Sequence, residues 1–166
     1  MNLPSAQVLD QDNSSNGDLT SVPGFLFFDH VAVAVQQGEL EAQVNAYKLL
    51  GFHEIHREDV LGKDQVREVL LKIGQGPNLL QLLEPLGPES PVARQLEKNG
   101  GRGGFAHVAL RVADIRKAFD YMKANGFKVL DAAPRKGSRG TTVFFVHPKT
   151  TDSVAFGYLI EVVQEG

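Results

Sequence analysis

The chain reads as an α+β protein in which paired βαβββ modules form one curved mixed sheet around a cleft, with the helices outside. Three observations lead there. An eight-residue pattern occurs twice, as Phe28-Asp-His-Val-Ala-Val-Ala-Val35 and as Phe105-Ala-His-Val-Ala-Leu-Arg-Val112, with His30 and His107 at matching places. Each copy is followed by an amphipathic helical stretch that ends at a Gly, and then by three apolar runs of strand length. The duplication lies outside the short periods of solenoids, so the two copies are paired modules of one fold.

In each copy the residues after the His alternate small or polar with branched apolar, the period of a half-buried strand. His30 therefore shares a face with Ala32, and His107 with Ala109, while Val31, Val33 and Val35, like Val108, Leu110 and Val112, point the other way. A face that carries one imidazole among side chains too small to fill a core leaves room for a ligand. From Gly38 to Gly51, Leu40, Val44, Tyr47 and Leu50 fall at helical spacing, and Gly51 sits where a C-cap belongs. Phe52 to Glu58, Gln65 to Ile73 and Asn78 to Glu84 read as strands. Pro85 to Pro91 is a turn-rich connector, a short helix follows from about Val92 to Lys98, and Asn99 to Gly104 is a Gly-rich link. In the second copy Asp114 N-caps a helix with the stripe Ile115, Ala118, Phe119 and Met122, stopped by Gly126. Strands are expected at Phe127 to Asp131, Thr141 to His147 and Gly157 to Val163. This divides the chain into a flexible tail over residues 1–24 and a single domain over 25–166, with modules at 27–86 and 104–164.

Composition narrows the function. With 166 residues, 42% hydrophobic and 22% charged, the chain suits a globular domain with a buried core. Without Cys there is no disulfide framework, thiolate metal site or Cys nucleophile. A net charge of -3 and the lack of a basic stripe argue against nucleic acid as a partner. No apolar run approaches membrane-spanning length, and the polar first residues lack the features of a signal peptide, so no membrane partner and a cytoplasmic location are expected.

The chemistry concentrates on a few polar residues in apolar strands. Gln81 is the lone polar residue within Leu79 to Leu83 and follows His30 by 51 residues; Glu161 is the one charge within Tyr158 to Val163 and follows His107 by 54. Two His, one Gln and one Glu at matched repeat positions make a nitrogen and oxygen set that suits an octahedral divalent ion with positions left for water or substrate. Any one of them alone is more often a hydrogen-bonded core residue. Two other classes stay open. His30, His107 and Glu161 alone form the triad of a non-haem iron dioxygenase, although Gln81 as a fourth ligand argues against oxygen activation. A non-enzymatic ligand-binding protein would need neither metal nor base.

The stretches Asp29-His-Val-Ala, Leu82 to Arg94, Gly104-Phe-Ala-His-Val-Ala, and His147-Pro-Lys with Leu159-Ile-Glu161 resemble methylmalonyl-CoA epimerases, members of the vicinal-oxygen-chelate superfamily that also holds glyoxalase I, extradiol dioxygenases and bleomycin-resistance proteins. The resemblance runs from about Phe27 to Gln164. It implies His30, Gln81, His107 and Glu161 as metal ligands, the set reached from the repeat, and adds Glu68, on the strand Val66 to Leu70, as the base at the alpha carbon of an acyl-CoA substrate. Glu161 is the candidate for the opposite side of the planar intermediate. The resemblance favours cobalt, with zinc, nickel, manganese or magnesium as other ions, and implies a homodimer. A glyoxalase I type lactoylglutathione lyase shares the ligands and the enolate chemistry. Arg135, Lys136 and Arg139 offer a basic loop for phosphates or a carboxylate. The loop 149–157 is longer than in the family and bears on the shape of the mouth.

Overall fold

The structure, a computed structural model, describes residues 22–166; the tail expected over residues 1–24 lies outside the described residues as far as residue 21. The elements are β1 (Phe25–Ala34), α1 (Leu40–Leu49), β2 (His53–Val60), β3 (Val66–Lys72), β4 (Leu79–Pro85), α2 (Pro91–Lys98), β5 (Gly104–Val112), α3 (Ile115–Ala124), β6 (Arg135–Lys136), β7 (Thr142–Val146) and β8 (Leu159–Gln164). They build one curved eight-stranded sheet in the order β2-β3-β4-β1-β5-β8-β7-β6. The two repeated strands meet at its centre. β1 pairs antiparallel with β5, and each also pairs in parallel with the last strand of its own module, β4 or β8.

The outward faces of the strands are apolar, and the two long helices cover them. On α1, Leu40 and Val44 pack against Val35, Val69, Leu71 and Leu82. On α3, Ile115, Ala118, Phe119 and Met122 pack against Val112, Phe144, Val146, Ile160 and Val162, with Phe119 edge-on to Phe144 at 5.2 Å. Side chains of this kind stabilise by about 1.5–3 kcal/mol each when fully buried. These clusters therefore hold the sheet's shape, and the inner face is left to carry polar groups. The short helix α2 starts where Ser90 accepts the Val92 N–H at 3.2 Å, with Pro91 at its first position. Its Val92 and Leu96 meet Ala32, Ala34, Val66 and Leu83 at the rim of the cleft.

Two expected features differ. Phe127 to Asp131 forms a single bridge, Val129 with Val146, instead of a strand. The reason is local: the Asp131 carboxylate takes the Phe145 N–H at 2.9 Å, so a side chain replaces the next backbone rung. The chain leaves the sheet there and returns as β6, which pairs with β7. Leu50, assigned to the buried stripe of the first helix, is 68% exposed. The helix stops at Leu49, and Gly51, at φ 96°, turns the chain away before Leu50 can reach the core.

The curl brings distant segments together. The Arg135 guanidinium, on β6, donates twice to Asp64 at 3.0 Å, and the Arg139 N–H donates to Glu58, on β2, at 2.7 Å. These contacts clasp the two modules beside the cleft.

Candidate metal centre and active site

The register of the central strands sets the site. His30 lies opposite Ala109 and His107 opposite Ala32 across the β1–β5 pair. Ala32 in turn lies beside Gln81 on β4, and Ala109 beside Glu161 on β8. Each Ala thus lies between the His of the other module and the oxygen-bearing side chain of its own, an arrangement related by the same local symmetry that the repeat has in sequence. His30 Nε2 is 3.1 Å from His107 Nε2 and 3.1 Å from Glu161 Oε2, and His107 Nε2 is 2.9 Å from the same oxygen. All three residues are buried. Adjacent ligands of an octahedral ion at ordinary bond lengths of about 2.1 Å stand about 3.0 Å apart. The three donor atoms keep that spacing. Gln81 Oε1 is buried with no hydrogen-bond partner among the described residues, while its Nε2 donates to Glu68 Oε2 at 2.8 Å. A free amide oxygen lining the same cleft as His107 and Glu161 fits a cation, since an acceptor in this position otherwise bears an uncompensated desolvation cost.

A residue not singled out in sequence supports this centre from behind. A register shift between Phe28 and His30 lets the buried Asp29 accept from His30 Nδ1 at 2.8 Å, and Arg111 Nε donates to the other Asp29 oxygen at 2.7 Å. Arg111 also reaches Glu165 at 2.7 Å. Burial alone would raise the Asp29 carboxyl, but hydrogen bonds with His30 and Arg111 outweigh it and hold it below its ordinary range. A carboxylate on the far nitrogen fixes which imidazole atom faces the ion and raises its basicity. Asp29→Asn is expected to weaken metal binding about 10- to 100-fold, measured by competition with a chelator. Unchanged affinity would contradict this role.

The centre is also coupled to pH. Burial would lower His30, but hydrogen bonds to Asp29 and Glu161 outweigh that effect and push its pKa up to about 9. Burial would likewise raise Glu161, yet the contacts with His107 and His30 hold it far below the usual carboxylate range. At neutral pH the metal-free chain therefore keeps a proton on His30 that an ion must displace. Metal affinity is expected to rise about tenfold per pH unit from pH 7 until it levels near pH 9, one proton leaving per ion bound. Calorimetry in buffers of different ionisation enthalpy reads that proton directly, and a flat profile over this range contradicts the assignment.

Glu68 reaches the same cleft from β3. It is buried, and its Oε1 has no hydrogen-bond partner among the described residues. Desolvation raises its carboxyl above the ordinary value, opposed by the nearby Ser138 hydroxyl and by the charges of Arg139 and His56. The cleft, of about 820 Å³, is lined by Glu68, Gln81, His107 and Glu161, by Arg94 and Lys98 of α2, and by Pro148, Gly157 and Tyr158 at the ends of the long loop. That loop folds on itself: Thr150 is buried and its hydroxyl accepts the Phe156 N–H at 3.0 Å. Two members of the basic loop are already engaged. Arg135 pairs with Asp64 and Asp131, and Arg139 lies 3.5 Å from Asp29. His147 caps its own turn by accepting the Lys149 N–H at 2.9 Å.

Known proteins share this fold. Residues 29–145 match the Glyoxalase/Bleomycin resistance protein/Dioxygenase superfamily. The ethylmalonyl-CoA/methylmalonyl-CoA epimerase of Cereibacter sphaeroides is 36% identical over 138 residues, spanning 82% of this chain and 96% of that protein. The mitochondrial methylmalonyl-CoA epimerase of Homo sapiens is 31% identical over 156 residues, spanning 92% and 84%. A solved methylmalonyl-CoA epimerase in complex with methylmalonyl-CoA and NH4+ superposes with a TM-score of 0.75 at 34% identity, covering 86% of this chain and 96% of that one. The chain belongs to the glyoxalase/bleomycin-resistance/dioxygenase superfamily and, within it, to the methylmalonyl-CoA epimerases, which are isomerases.

Proposed function

We propose that the chain interconverts the 2R and 2S forms of methylmalonyl-CoA in a metal-dependent reaction, removing the alpha proton on one face and returning a proton on the other. The observation that carries this reading is the hydrogen bond from Gln81 Nε2 to Glu68 Oε2, which joins the four-residue ligand set to a buried carboxylate whose second oxygen is free. An alpha proton of a thioester is too weakly acidic for a carboxylate to remove unaided. His30, Gln81, His107 and Glu161 would hold a divalent ion, which when bound would supply positive charge against the negative charge that develops on the thioester oxygen.

The chain's own residues do the rest. Asp29 orients His30. Gln81 pins Glu68 Oε2, so Oε1 is the atom that takes the proton, and burial raises this carboxyl toward the range in which a base is effective. Ala32 and Ala109 keep the inner face shallow where the planar intermediate lies. β3, one strand beyond β4, and β8 lie on opposite sides of the central pair, and on this basis we take Glu161 as the proton carrier facing Glu68. Its Oε2 meets both imidazoles, and its Oε1 is the oxygen assigned to proton exchange.

For the ion we take cobalt, with zinc, nickel, manganese and magnesium as the others that such a donor set accepts. We take the cytoplasm as the location and a homodimer as the assembly that the family resemblance implies; the exposed Phe25, Leu26, Phe28 and Val31 of β1 offer apolar surface for it. Cobalt-loaded protein is expected to carry either epimer of methylmalonyl-CoA to the mixture of both, and chelator-stripped protein to leave it unchanged. Protein inactive on both epimers with each of these ions contradicts the proposal.

A further inference from the structure

A second group of donors includes Glu68 and extends from it toward the edge strand β2. The β2–β3 pairing sets Glu58 directly opposite Glu68, and His56, two residues before Glu58, shares its face. His56 Nε2 is 3.0 Å from Glu58 Oε1 and 3.8 Å from Glu68 Oε1, and one donor atom from each of the three lies within 4.8 Å of the others. Like charges placed directly across a strand pair repel. Here one of the two carboxylates is also almost wholly withdrawn from water: the Glu68 side chain is 3% exposed, and its Oε1 has no hydrogen-bond partner among the described residues. The Arg139 N–H holds the Glu58 carboxylate in place from the opposite module at 2.7 Å.

We propose that His56, Glu58 and Glu68 form a second divalent-cation site, suited to zinc, whose occupation withdraws the base of the cleft and inhibits the enzyme. One imidazole and two carboxylates are a zinc donor set, and three protein donors leave a position for water. A cation there offsets the repulsion between the facing carboxylates and gives Glu68 Oε1 a partner. His56 and Glu58 are each about a third exposed. Glu58 also borders a depression of about 450 Å³ beside the cleft with Asp59, Asp64 and Ser138, which gives an ion access to the site. The two centres share no ligand; the Gln81–Glu68 hydrogen bond is the link between them. The inhibitory part of the proposal rests on Glu68 being the base.

The test is a titration of Zn²⁺ into protein already loaded with one equivalent of cobalt, following zinc uptake by calorimetry, cobalt retention by its absorption spectrum, and epimerisation rate together. A second equivalent is expected to bind with cobalt retained while the rate falls with occupancy. His56→Ala is expected to keep its cobalt and its zinc-free rate, and to need about 10- to 100-fold more zinc for the same inhibition. Glu58→Gln serves as the second variant and is expected to behave alike. No second equivalent, inhibition that accompanies loss of the cobalt spectrum, or uptake undiminished in both variants would overturn the site. Zinc uptake that depends on His56 but leaves the parent's rate unchanged would uphold the site and contradict Glu68 as the base.

Discussion

Glu68→Gln is expected to lower the epimerisation rate by about 100- to 10,000-fold, the range that a positioned base supplies, with fold and metal content intact. The substitution keeps the size of the side chain, and the new amide oxygen can still accept from Gln81 Nε2, the contact that Glu68 makes at 2.8 Å. It removes only the ability to take a proton at the atom now without a hydrogen-bond partner. Circular dichroism and metal analysis of the purified variant separate this from unfolding or metal loss. A variant that epimerises at the parent rate would remove Glu68 from the mechanism.

His107→Ala is expected to abolish activity by emptying the metal centre. His107 Nε2 stands within 2.9 Å of Glu161 and 3.1 Å of His30, so its loss takes a donor from the middle of the set. The affinity should fall by more than the roughly 10- to 100-fold that an outer partner commands. The ring packs edge-on to Phe145 at 5.6 Å at the cleft wall and away from the helix-covered clusters, so the fold should survive. Glu161→Gln, which exchanges an anionic oxygen for a neutral one, should weaken the metal without removing a donor position. Stoichiometric metal retained by His107→Ala would falsify the ligand assignment.

What the sequence revealed and what it hid follow from strand parity. Because side chains alternate strictly along a strand, two matched His-containing strands and two matched polar intrusions, Gln81 and Glu161, were enough to predict one shared face. The β1–β5 register places them accordingly. Parity fails where a strand is irregular. Asp29 sits next to His30 in the chain and by alternation belongs on the opposite face; the register shift between Phe28 and His30 turns it inward, so its role was invisible without coordinates. His56 shares a face with Glu58 by ordinary alternation; what the sequence hid there is the β2–β3 register that sets Glu58 opposite Glu68. Arg111 falls in the repeated pattern as an ordinary strand residue, and the β1–β5 register with its shift between Phe28 and His30 pairs it with Asp29. The misplaced strand over Phe127 to Asp131 reflects a different competition, in which one Asp side chain substitutes for a backbone partner.

The central claim is that the alpha carbon loses its proton to the protein and regains one on the other face. Epimerisation of a single methylmalonyl-CoA epimer by metal-loaded protein in deuterium oxide, followed by NMR at that carbon, tests it most directly. The account predicts that the newly formed epimer carries solvent deuterium at the alpha carbon, and that Glu68→Gln suppresses its appearance. An inverted product that retains its original proton would contradict it.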